Sequence, residues 1–583
     1  MPMVQGELLL LLAVHLALTS LPGVAASLFL ASRGERRIPV LLAVLLAASG
    51  GTAMLGFWAY YASHQIGQTW SFLSLFGSLL AIGWLLWDRR IGREVLRALA
   101  TPLALWVLGS AFLVFFGFLH GGAHSPMENS STRFSGGLPS DNYMPFFWGE
   151  WFYHHAHHGK PPEFTGNWLA SDRPPLQMGY LVTQLPFHLF DNELSYEILG
   201  VCLQQLWIVG LWALLVALRV GRLTKALVMA TVLVSALTLV NGFYVWPKLL
   251  PAAMLLGAAA LLITPLWDEV RARLWGGALV AALFGLGMMG HGSSAFGIIA
   301  LALIAAFRGL PSWRWLGVAV LTLVVVMGPW SAYGKWADPP GNRLTKWYLG
   351  GDTEPDKKSV TEAIVDGYGE AKLSTILHKK GQNFAAIGGG WIFSGSVREA
   401  REAVERGDFG GVVRPLRSTF FFNLLPSLGL LLLGPVAMAI GWRRRRARDR
   451  DDWKAATTVL GTCALGVVLW ALIQWGGWTA TTVIHQGSYL LPALGLAGCA
   501  LALRAALPRF AIGWLALNLV LILVIYVPDF LPVEGSSFTL VNALLAAAAL
   551  AGFAAVAFGV RSRRGPEPPS ARSPTPSPAS TPA

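Results

Sequence analysis

Apolar runs of about 17 to 25 residues, the length that crosses roughly 30 Å of hydrocarbon, recur along this chain from Leu8 to Val560. The polar stretches between them fall into two kinds. One kind is basic: Arg33/Arg36/Arg37, Arg89/Arg90/Arg93, Arg219/Arg222/Lys225, Arg271/Arg273, Arg308/Arg314, Arg443 to Arg446, Arg504/Arg509 and Arg561/Arg563/Arg564. Placing each on the cytoplasmic side by the positive-inside rule forces 62–70, 121–195, 244–248, 291–294, 334–418, 475–485 and 529–537 to the other side. The alternation closes without contradiction. It predicts an all-α polytopic membrane protein of about 13 to 15 transmembrane helices, multi-pass in the cell membrane, N-terminus outside and C-terminus cytoplasmic. Residues 176–190 read as a short or re-entrant piece. The first apolar run lacks the positive n-region of a cleavable signal and is expected to be retained.

Composition agrees with that reading. Hydrophobic residues make up 54% and charged residues 13%, with a mean hydropathy of +0.54, against about 25% charged in average soluble domains. The net charge of +13 comes from short clusters between apolar runs, not from one face or stripe, so it signals topology and excludes nucleic acid as a partner. Cys202, Cys463 and Cys499 all fall in apolar segments, and no disulfide framework follows from them. Residues 1–561 therefore form the membrane domain, and the Pro/Ser-rich 562–583 is expected to be a disordered cytoplasmic tail.

Two of the non-basic loops are long, 121–195 and 334–418, and connections of that length usually carry function. The apolar cores offer no carboxylate placed at mid-depth for an ion relay, which moves the chemistry to the loops. The first contains "SDNYMPFFWGEWFYHHAHHGKPPEFTGNWLASDRPPLQMGY", residues 140–180. Its aromatic density suits a helix in the headgroup layer, with Asp141 just before it as either a reactive carboxylate or that helix's N-cap. His154 and His158, spaced i, i+4, with Glu150 one turn earlier, form a minor divalent-metal candidate; no HExxH is present and no cofactor is expected. The second loop offers Arg343, Lys346, Trp347, Tyr348 and Trp391, suited to an acceptor or to a membrane surface.

An early loop Asp, an aromatic interfacial helix and then Arg173-Pro174-Pro175-Leu176 opening the next segment resembles the GT-C superfamily of polyprenyl-phosphate-sugar-dependent membrane glycosyltransferases. Many members, protein O-mannosyltransferases and aminoarabinose transferases among them, carry His or Lys before Pro-Pro-Leu, where this chain has Arg. The resemblance implies a GT-C-like fold and the inverting transfer of a sugar from a polyprenyl-phosphate donor to a glycan, lipid or protein acceptor of the cell envelope at the outer face of the bilayer. It maps the catalytic base onto Asp141; the other carboxylates of the same loop that could take that role are Asp172 and Glu150. Cations suited to the donor phosphate are Arg173, Lys248 in "NGFYVWPKLL", His291 in "MGHGSS" and His485 in "TTVIHQGSYLLPAL"; the last stretch, with Tyr489, is similar to the late His/Arg-x-Tyr-x-x-Pro elements of several members. A lipid or glycan flippase, and an envelope-glycan ligase or polymerase, are the alternatives.

Overall fold

The computed structural model describes residues 2–134, 138–387, 390–408, 410–412, 427–443, 450–476, 488–528 and 537–559. Among these the chain is helical throughout, and its extended pairing is an isolated bridge between Phe164 and Trp168. Among the described residues nine helices are long and apolar enough to cross a membrane: Val4–Ser32, Ile38–Ala62, His64–Trp87, Arg93–Gly117, Asn192–Ala217, Trp313–Ala337, Asp451–Ile473, Pro508–Tyr526 and Leu540–Gly559. A tenth is the pair Arg222–Leu233 and Ala236–Phe243, bent by 53°. The bend falls at Ser235, whose hydroxyl caps the second helix and donates to Val232 O at 2.7 Å.

Four shorter apolar helices, Leu249–Leu262, Leu274–Gly290, Ser294–Arg308 and Leu490–Ala506, join them, and Ser427–Arg443 packs on the last of these. The expected count of about 13 to 15 took such runs on the same footing as full spans. Leu249–Leu262 is buried at all fourteen positions. A helix apolar on every side belongs inside, and at roughly 21 Å long it does not match the bilayer by itself because protein surrounds it.

Chain contacts sort the polar segments into two ends. Arg37 pairs with Glu269, Arg308 Nη1 donates to Ile263 O at 2.6 Å, and Asp452 accepts from Gly221 N at 3.1 Å, so these basic segments share one end. At the other, His64 Nδ1 lies 2.8 Å from Tyr153 O, Trp475 N donates to Tyr348 O at 2.8 Å, and Arg133 Nη2 donates to Tyr526 O at 2.7 Å. The two long loops meet there, where Ser171 N donates to Asp338 Oδ2 at 2.9 Å.

The segment 176–190 is short: a nine-residue helix, Leu176–Gln184, buried along its whole length, about 14 Å long and unable to span. It packs backbone-close on Ile38–Ala62, since a Cβ at Gly179 would lie 2.5 Å from Ala53 O. The aromatic helix Met144–His155 buries Phe146, Trp148 and Phe152 and leaves His154 and His155 exposed.

Candidate functional site

Asp141 lies in a single 3-10 turn, Ser140–Asn142, after extended Pro139. It does not cap the aromatic helix. That helix starts after Tyr143, makes no side-chain cap bond and has Pro145 in its first turn, where a missing N–H costs nothing. Asp141 Oδ1 instead accepts from Arg173 Nη2 at 3.3 Å, and both side chains are largely buried, 15% and 11% exposed.

Arg173 follows the turn Ala170–Asp172 with extended backbone, φ −120° and ψ 110°, the conformation that a following proline enforces. Its guanidinium stacks 4.3 Å from the centre of Trp168, and that of Arg343 stacks 4.0 Å from the same ring. The Arg173 Nε–H is buried and has no partner among the described residues. Asp172 commits both oxygens to backbone amides: Oδ2 accepts from Leu169 N at 3.2 Å and Oδ1 from Arg343 N at 3.3 Å. Burial pushes its carboxyl up, against the opposing pull of the Leu169 amide and of Arg173 and Arg343. Geometrically it is a clamp between the two long loops.

Lys248 sits at the junction before Leu249–Leu262, 1% exposed, its Nζ 4.4 Å from the centre of Trp246 and 5.5 Å from that of Tyr489. Burial, then the nearby charge of Arg173, pushes its ammonium well below the ordinary lysine range, while Asp141 pulls the other way. Tyr244 and Tyr348, both buried, also lie close enough to feel the charges of Asp141 and Arg173. His291 joins at the edge, its ring 6.0 Å from that of Trp246 and its Nδ1 accepting from Ser293 N at 3.1 Å. The structure thus brings Asp141, Arg173, Lys248, Tyr489 and His291 to one place; His485 lies outside the described residues.

A buried amide network fixes this arrangement from behind. Gln177 Nε2 donates to Tyr196 Oη at 2.7 Å and Val245 O at 2.8 Å, and Gln177 Oε1 accepts from Gln204 Nε2 at 3.0 Å. Gln204 Oε1 accepts from Leu249 N at 2.9 Å and Leu250 N at 3.0 Å, two of the orphan amides that open a helix. Tyr196 Oη donates to Asn142 O at 2.9 Å, and Tyr244 Oη to Pro139 O. The turn bearing Asp141, the start of Leu176–Gln184 and the start of the helix after Lys248 are therefore tied to one another. Sequence reading missed these residues because a lone Gln in an apolar run carries no pattern. It also missed Glu197, a fully buried carboxyl in the span Asn192–Ala217, about 8 Å along from its start.

The histidine-rich stretch is not one helix face. The helix ends at His155, and Ala156 takes φ +52°, so His158 leaves the i, i+4 register that joined it to His154. Glu150 Oε2 pairs with His154 Nε2 at 3.4 Å, while His158 packs on His157, ring centres 4.2 Å apart. Among the described residues no three His, Cys, Asp or Glu side chains gather as metal ligands. In the second loop Lys346 is fully buried and donates to Asp356 and to Glu354 O, holding the turn after Arg343–Gly350.

Together a carboxylate, a guanidinium with a spare donor and an ammonium meet at buried tyrosines. Such a group can take a proton and bind an anion. Comparison with known protein families, curated proteins and solved structures gives no match in any of the three.

Proposed function

We propose that this chain is a membrane glycosyltransferase that moves a sugar from a polyprenyl-phosphate donor to a cell-envelope acceptor at the outer face, with inversion. The observation that carries the reading is the convergence of Asp141, Arg173 and Lys248, residues from three separate segments, at the loop-bearing end of a helical bundle. Arg173 and Lys248 lie close enough in a buried setting to feel each other's charge, and a phosphate arriving between them would be bound by both. Charge-assisted bonds of that kind are strong and directional. Asp141, beside them, accepts the proton of the attacking hydroxyl, while the phosphate leaves from the opposite face of the anomeric carbon with the cations stabilising it. Tyr489, Tyr244 and Tyr348 are buried beside these groups.

The test is binding of a sugar-free polyprenyl phosphate to the purified protein. Arg173→Ala and Lys248→Ala each remove a contact worth about 1.5–3 kcal/mol, so Kd should rise roughly tenfold or more with the protein still folded. Unchanged affinity in both variants removes the donor site from this place.

A further inference from the structure

Behind the turn that carries Ser171, Asp172 and Arg173 lies a separate cleft of about 570 Å³, lined among others by Ser171, Trp330, Ser331, Lys335, Gly341 and Lys357. Its size is that of a small-ligand site. Its wall is partly bare backbone: a Cβ at Gly341, where φ is +58°, would lie 2.9 Å from Gly334 Cα and 3.1 Å from Ser171 Cβ. No side chain can grow there to fill the space.

The cleft sits at the end of the helix Trp313–Ala332, whose outward face exposes Val320, Leu321, Val324 and Val325 at 58 to 66%. That face is what a spanning helix offers to acyl chains. Trp336, 74% exposed, adds the aromatic ring that settles at the headgroup level. Lys335 and Lys357 stand exposed at the rim, and no ion pair engages either among the described residues. The nearby buried Asp338 is already taken up by Ser171 N, with Lys160 Nζ 3.9 Å from its other oxygen. Acyl-chain track, headgroup-level tryptophan and two cations around an open volume thus occur in one line.

We infer that this cleft holds the phosphate head of an anionic membrane lipid, with its chains lying along the exposed face of Trp313–Ala332. The site is distinct from the Asp141, Arg173 and Lys248 group, and its occupancy does not depend on sugar transfer.

The experiment is native mass spectrometry of the full chain in detergent with dioctanoyl phosphatidic acid, dioctanoyl phosphatidylcholine and inorganic phosphate as probes. Saturable binding of the phosphatidic acid is expected, and it should persist in Arg173→Ala, which separates the cleft from the candidate site. Lys335→Gln and Lys357→Gln should each weaken it about fivefold, the equivalent of about 1 kcal/mol per basic group at a lipid phosphate. Ser331→Trp, at an exposed helix position, should fill the cleft and abolish binding without altering charge. Equal binding of phosphatidylcholine, or full affinity in both lysine variants and in Ser331→Trp, overturns the proposal. Equal affinity for inorganic phosphate also overturns it, by making the ligand a soluble anion.

Discussion

With its guanidinium stacked on Trp168 and paired with Asp141 at 3.3 Å, Arg173 has little rotational freedom left to lose when a ligand arrives. Pre-paid ordering of this kind is what makes a binding contact effective. Asp141 is the residue whose chemistry separates readings. Asp141→Asn keeps its size and an oxygen for Arg173 but cannot take a proton. General-base assistance is worth about 10² to 10⁴ in rate, so turnover with a polyprenyl-phosphate sugar should drop by that factor while polyprenyl-phosphate binding holds. Near-normal turnover would sink Asp141 as the base. A second residue, Lys380 in the helix Leu373–Ile387, is pushed down to about 8 by burial and then by the charge of Lys379. It donates to Tyr368 Oη at 2.9 Å and Gln474 O at 2.6 Å. Its folded value lies below the unfolded one, so the native state releases its proton first and stability rises as pH climbs from about 8 toward the ordinary lysine range. Competitive acetylation across pH should give Lys380 a midpoint near 8. A midpoint at the value of an ordinary exposed lysine would show that it stays solvated.

At the scale of elements, the site depends on three short pieces that cannot hold themselves in place. The Ser140–Asn142 turn, the nine-residue helix Leu176–Gln184 and the start of Leu249–Leu262 meet through Gln177, Gln204 and Tyr196. Isolated helices this short are marginal in water, so tertiary bonds must set their positions. Gln204→Leu leaves the Leu249 and Leu250 amides and the Gln177 carbonyl short of partners, at about 1–3 kcal/mol for each buried group. Thermal unfolding in detergent should move down clearly, with Gln204→Glu, which keeps the acceptor, falling less. An unchanged melting temperature in Gln204→Leu would mean that water satisfies those amides. The same scale explains the histidines. His154 and His158 looked like one face in sequence, and one residue, Ala156 at φ +52°, ended the helix before the face was complete.

At the scale of the molecule, the two ends of the bundle are set by which loops touch, and the membrane decides which end faces out. The positive-inside rule assigns the basic end to the cytoplasm. Cysteines at Glu128 and Pro355, both exposed at the loop-bearing end, should then react with an impermeant thiol reagent in intact cells. One at Ala272, exposed at the basic end, should react only after permeabilisation. The opposite pattern would invert the topology and place the Asp141 group inside.

The sequence by itself determined that the chain is helical and crosses the membrane many times, because transfer of apolar side chains into hydrocarbon and the backbone's need for internal hydrogen bonds act locally along the chain. It also grouped the loops into two sets, since charge clusters recur once per pair of crossings. Arg37 against Glu269 and Tyr61 O against His157 Nδ1 at 3.2 Å are contacts that this grouping anticipates. Asp141, Arg173 and Lys248 were legible as separate charged residues at helix ends. Only the tertiary structure decided that Arg173 turns to Asp141, that Asp172 spends its oxygens on backbone amides, and that Lys248 is buried between Trp246 and Tyr489. Hydropathy reports a residue's preference between water and hydrocarbon. A site is made by which distant residues packing places side by side, and no local preference encodes that.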